Sequence, residues 1–129
     1  NAILMEYIGD LDGSAPTLSE VGLDRAEAGT LFERVLRNLD VMLAHERIHG
    51  DLSAYNILYW DGDITLIDFP QVVSPRVNRH AYRIFERDMK RICDYFTQQG
   101  IKTNPKGLAQ ELWTSRGYNL PREKPEEEE

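Results

Sequence analysis

Two short apolar runs joined by Asp61-Gly62 constrain this chain more than any other feature. Ile57-Leu58-Tyr59-Trp60 and Ile64-Thr65-Leu66-Ile67 flank the strongest short hairpin signal. Both turn residues tolerate the positive φ of a type I′ turn, so a tight antiparallel pair is predicted. Such a pair returns the chain to its starting point. Asp51 and Asn56 precede the first run and Asp68 ends the second. Two carboxylates and a carboxamide are therefore predicted to converge on one small volume.

That constellation suits phosphoryl transfer, which asks the protein for positioning and charge neutralisation rather than covalent chemistry. Mg²⁺ prefers near-octahedral oxygen coordination and is usually held by one or two carboxylates plus substrate phosphates. A carboxamide and an acid at opposite ends of a hairpin supply such oxygens. A second Asp, left off the metal, can orient a hydroxyl or water and accept its proton. The catalytic loop of protein kinases has this layout: Asp and Asn separated by four residues, then a metal-binding Asp on the next strand. Asp and Asn also form ordinary turns. The preceding His49-Gly50 and the terminal Ile67-Asp68-Phe69 favour the phosphotransferase reading.

The 129 residues allow one domain, and 41% hydrophobic with 29% charged residues fits a globular protein. Four of the seven net negative charges are the Glu126–Glu129 run, which leaves −3 over residues 1–125. This balance gives no direct nucleic-acid signal. The single Cys93 excludes an internal disulfide framework, and a reducing, cytoplasmic location is expected. It falls on the apolar side of a predicted helix, so it is read as a buried thiol rather than a nucleophile. No run approaches the roughly 20 apolar residues of a membrane span.

Asn1 to Gly9 reads as a buried strand without a preceding turn, so a fragment of a longer polypeptide is expected. A loop follows over 9–18. Helices are predicted at about 24–46, 79–99 and 105–115. The first begins with Asp24 and Glu27 at capping-box spacing and carries an apolar stripe from Ala28 to Leu43. The second presents Ala81, Ile84, Phe85, Met89, Ile92, Cys93 and Phe96, and stops at Gly100. The third has Asn104 as cap and Pro105 in its first turn. Residues 122–129 read as an acidic, disordered tail. The fold class expected is α+β, mainly helical with a catalytic β-hairpin.

His49-Gly50-Asp51-Leu52-Ser53-Ala54-Tyr55-Asn56, with Ile67-Asp68-Phe69-Pro70-Gln71, resembles the RIO family of atypical serine/threonine protein kinases and ATPases. Met5-Glu6-Tyr7-Ile8-Gly9 looks like that family's hinge, and His80 to Phe96 resembles its helix after the metal loop. The resemblance covers about residues 2–100 and implies a protein-kinase-like C-lobe over 10–121, preceded by a hinge strand at 1–9. It implies ATP and Mg²⁺ as cofactors, Asp51 as catalytic residue, and Asn56 with Asp68 as metal ligands. The carbonyl of Glu6 and amide of Ile8 would meet the adenine edge, with Met5 behind it. Leu58 and Ile67 would form the apolar floor beneath the ring. His49 is read as a structural histidine bracing the loop, and Ser53 stands where Ser/Thr kinases usually carry Lys. Partners implied are ATP and a protein or ribonucleoprotein substrate.

Departures from ordinary kinases support a RIO-type lobe. Gly50 replaces the Arg of H-R-D, and Pro70 replaces the Gly of D-F-G, fixing φ and removing a donor. About ten residues separate Asp68 from the predicted second helix, too few for an activation loop and peptide platform. No Gly-rich phosphate loop or strand Lys is present, so this chain is expected to be inactive alone and liable to self-association through Ile3–Tyr7. Two alternatives share some of these features. Aminoglycoside or choline phosphotransferases also carry H-G-D…N, but tend to have His where Ser53 stands and a longer helical segment after the metal Asp. A non-catalytic kinase-like binding module would gain little from three clustered polar groups.

Overall fold

The computed structural model of the chain describes residues 9–10, 13–14, 16–67, 74–76 and 80–121. The 1–9 hinge strand (apart from Gly9), the 122–129 tail and Asp68 lie outside the described residues. Strands β1 (Gly9–Asp10) and β2 (Gly13–Ser14) pair antiparallel, so the segment expected as a loop carries a short ladder. A single 3₁₀ turn, Leu18–Glu20, leads into α1 (Arg25–Ala44).

Helix α1 begins where Asp24 accepts the Glu27 amide at 2.8 Å. The reciprocal half of the expected capping box is replaced: the Glu27 carboxylate accepts the Tyr59 hydroxyl instead, tying α1 to the hairpin. Ala28, Leu31, Phe32, Val35, Leu39 and Leu43 recur at helical spacing and are buried. The helix ends in a Schellman arrangement, with Glu46 N–H on Leu43 O and Arg47 N–H on Met42 O. Glu46 takes the left-handed position there (φ 61°), where glycine is usual.

The hairpin forms as its sequence demands. Strands β3 (Ile57–Trp60) and β4 (Asp63–Leu66) pair with Ile57 opposite Leu66 and Trp60 opposite Asp63. Asp61 (φ 55°) and Gly62 (φ 77°) make the two-residue turn with both φ values positive. Arg34 of α1 holds that turn, donating to Gly62 O and pairing with Asp63, each at 2.9 Å. On the other edge Thr17 bridges Leu58, and the Tyr59 amide donates to Pro16 O at 2.8 Å.

Helices α2 (Ala81–Gln98) and α3 (Pro105–Ser115) complete the layer beneath. Cys93 is buried on α2, and burial pushes its thiol up. Phe96 of α2 packs on Phe32 of α1 with ring centroids 5.0 Å apart. Trp113 of α3 sits among Tyr82, Phe85 and Tyr118 at 5.0–5.6 Å. The stripe of α2 is wider than its sequence suggested. Tyr82 and Asp88 are both buried within it, and Ile84 is only half-buried.

Candidate functional site

Between α1 and β3 only a short 3₁₀ turn, Ala54–Asn56 capped by Ser53, is regular; ahead of it Gly50 takes φ 95° and Ser53 is extended at φ −162°. The backbone amides ahead of that turn must find other acceptors. Asp88, only 1% exposed, supplies two of them. Its carboxylate accepts the Gly50 amide at 2.9 Å and the Leu52 amide at 3.0 Å. The loop is thus clamped on both sides of Asp51 by one side chain from α2. Burial pushes the Asp88 carboxyl above its ordinary range, against the pull of those two amides and Arg87. Arg87 adds a bond from its guanidinium to Gly50 O.

His49 braces the same loop. Its Nδ1 accepts the Asp51 amide at 3.1 Å, and its Nε2 lies 2.9 Å from Ile67 O. These partners assign the proton to Nε2, so the imidazole joins the loop to the end of the hairpin. Asn56 makes the complementary tie, its backbone oxygen accepting the Ile67 amide at 2.8 Å. Ser53 orients the Asn56 side chain: its hydroxyl accepts the Tyr55 amide at 3.2 Å and donates to Asn56 Oδ1 at 3.0 Å. Both hydrogen-bonding groups of Ile67, the residue before Asp68, are therefore bound to the 49–56 loop.

Asp51 points outward, its side chain 61% exposed, and its Oδ1 pairs with Arg91 Nη1 of α2 at 2.9 Å. Leu58 and Ile67 are half-buried, and the register puts exposed Thr65 across from Leu58 on the same hairpin face. Of the candidate nucleotide and metal residues, Met5, Glu6, Ile8 and Asp68 lie outside the described residues. Among the described residues no three His, Cys, Asp or Glu side chains form a metal-binding group. Asn56 Oδ1 is a hard carboxamide oxygen of the kind Mg²⁺ accepts, and Ser53 fixes its direction.

Sequence reasoning missed Asp88, Arg87 and Arg91. Asp88 did leave a signal, since a carboxylate stands within the apolar stripe between Phe85 and Ile92 where charge is rarely buried unpaired. The two arginines left none, because exposed cations on a helix are ordinary.

A mixed α+β arrangement with two helices bracing a catalytic-type loop and hairpin is consistent with a kinase-like fold. The RIO domain family model matches residues 1–108. Over 105 residues the chain is 32% identical to the RIO-type serine/threonine-protein kinase Rio1 of Thermoplasma acidophilum, covering 81% of this chain and 53% of that protein. It is 32% identical over 108 residues to the Haloferax volcanii Rio1, covering 84% and 36%. It is 34% identical over 102 residues to human serine/threonine-protein kinase RIO3, covering 78% and 19%. The chain belongs to the RIO family. It spans about half the length, or less, of these relatives.

Proposed function

We propose that residues 10–121 are the C-lobe of a RIO-type serine/threonine kinase or ATPase acting on Mg-ATP. The observation that carries this reading is the double clamp of Asp88 on the Gly50 and Leu52 amides, which holds Asp51 outward on a braced loop. Asp51 would orient the attacking hydroxyl or water and accept its proton. Asn56 and Asp68 would hold Mg²⁺, which neutralises charge on the phosphate oxygens when bound. Leu58 and Ile67 would carry the adenine ring, with Met5, Glu6 and Ile8 meeting its edge.

Phosphoryl transfer needs a cover that excludes water and completes the site. This chain has no phosphate loop of its own in sequence, so it would turn over ATP negligibly alone, with autophosphorylation or hydrolysis belonging to the complete enzyme. Its buried free thiol suits a reducing, cytoplasmic setting. Among the described residues no helix is long and apolar enough to cross a membrane. Uncovered, the Ile3–Tyr7 run would promote self-association, which a strictly monomeric sedimentation profile at high concentration would contradict.

The test is ATP turnover by the complete polypeptide that carries residues 1–129. Asp51→Ala should lower it by roughly 10²–10⁴-fold, the range for a positioned acid–base group. Asp68→Asn should chiefly weaken Mg-nucleotide binding. Unchanged turnover in Asp51→Ala would defeat the assignment.

A further inference from the structure

Beside the catalytic-type loop lies a cavity of about 420 Å³, bounded by Ser53 and Tyr55 on one wall and by Arg91, Asp94 and Gln98 of α2 on the other. Tyr55 is 74% exposed at its rim. Arg91 belongs to both places: it lines the cavity and it pairs with Asp51. Among the described residues, only its Nη1 is engaged, on Asp51 Oδ1, and its other guanidinium donors meet no acceptor. The one acid lining the cavity, Asp94, is neutralised by Lys90 at 3.0 Å. The cavity therefore offers the spare donors of a guanidinium paired on one side only, beside neighbouring hydroxyl and amide groups.

We infer that this cavity is an acceptor-substrate subsite in which Arg91 binds an acidic side chain of the protein substrate close to the phosphorylated hydroxyl. The inference rests on the assignment of Asp51 above and names the substrate class that site would take. A carboxylate matches the planar fork of a guanidinium two bonds at a time, which Asp51 does not use. It would also compete with Asp51 for Arg91. A bound carboxylate shares the guanidinium with Asp51 and loosens that ion pair, so acidic substrate binding makes Asp51 more available to accept the hydroxyl proton. Arg91 is a specificity and positioning residue in this scheme, since it touches substrate away from the reacting atoms.

The experiment measures binding of two fluorescent peptides, a serine flanked by glutamates and the same serine flanked by glutamines, to the complete polypeptide. The glutamate peptide should bind about five- to tenfold more tightly at low salt, an advantage that falls as salt screens the exposed pair. Arg91→Gln should abolish that preference, Arg91→Lys should retain part of it, and Lys106→Gln should leave it intact. Asp51→Asn should strengthen glutamate-peptide binding by about two- to fivefold, because it frees the guanidinium. Equal binding of the two peptides to the wild type, a preference that survives Arg91→Gln, or no gain in Asp51→Asn would each overturn the inference. These readouts need no turnover. Failure of the kinase reading would show instead as unchanged ATP turnover in Asp51→Ala, with peptide binding preserved.

Discussion

Asp88→Asn isolates the clamp on which the loop depends. In the wild type each carboxylate oxygen accepts one backbone amide, Gly50 at 2.9 Å and Leu52 at 3.0 Å, and Leu52 is fully buried. Asparagine keeps the shape and one acceptor but turns an NH₂ toward the other amide, setting donor against donor. One buried N–H left without an acceptor costs about 1–3 kcal/mol. Removing a buried anion offsets part of that, so the net loss should lie toward the lower end. For a domain between the small and middle size classes, about 1–2 kcal/mol corresponds to a fall in Tm of roughly 3–10 °C. Thermal denaturation followed by circular dichroism measures the loss. Amide hydrogen exchange adds a local readout, because the Gly50 and Leu52 amides should lose protection more than amides in the middle of α1. Asp94→Asn, on the exposed side of the same helix, should stay within about 0.5 kcal/mol of wild type. An Asp88→Asn variant with unchanged Tm and unchanged protection at Leu52 would refute the clamp.

Two further outcomes follow from single contacts. Tyr82 buries its hydroxyl without a hydrogen-bond partner among the described residues, and burial, helped by Glu86, pushes its phenol up to about 12. Tyr82→Phe should therefore be neutral or stabilising by up to about 1 kcal/mol, and a clear drop in denaturation midpoint would show that the hydroxyl is satisfied. Asp40 accepts two bonds from Arg116, at 2.9 and 2.8 Å, and this guanidinium holds its carboxyl below the usual carboxylate range against a smaller opposing effect of burial. A lowered folded-state value means the contribution is present above the unfolded value of about 3.9 and fades as pH falls through the folded one. The Tm gap between wild type and Asp40→Asn should thus close as pH falls through and below the ordinary carboxylate range, and a gap that widens in acid would count against the pair.

What the chain spelled out alone was local. Asp61-Gly62 can pair with alternating apolar neighbours in only one tight way, and the type I′ hairpin formed in the expected register. The helices began at Asp24 and Asn104 and stopped at Gly100 and Gly117 because caps and left-handed turns are written in neighbouring residues. Glu46 in a glycine-type position lay beyond that logic, because glutamate, unlike the aspartate of an Asp-Gly turn, carries no sequence mark for the left-handed region. The candidate residues Asp51 and Asn56 could likewise be picked out by spacing, and His49 and Ser53 by the resemblance of their loop. Their arrangement could not. Asp88 meets Gly50 and Leu52 across 38 and 36 residues, and Arg91 meets Asp51 across 40. Contacts of that separation exist only once α2 has packed against the 49–56 loop, since no periodicity encodes which exposed or buried polar group another element will meet. The sequence alone therefore determined the hairpin and its polar flanks; the packing of α2 decided how the loop is held, and which cation faces its exposed aspartate.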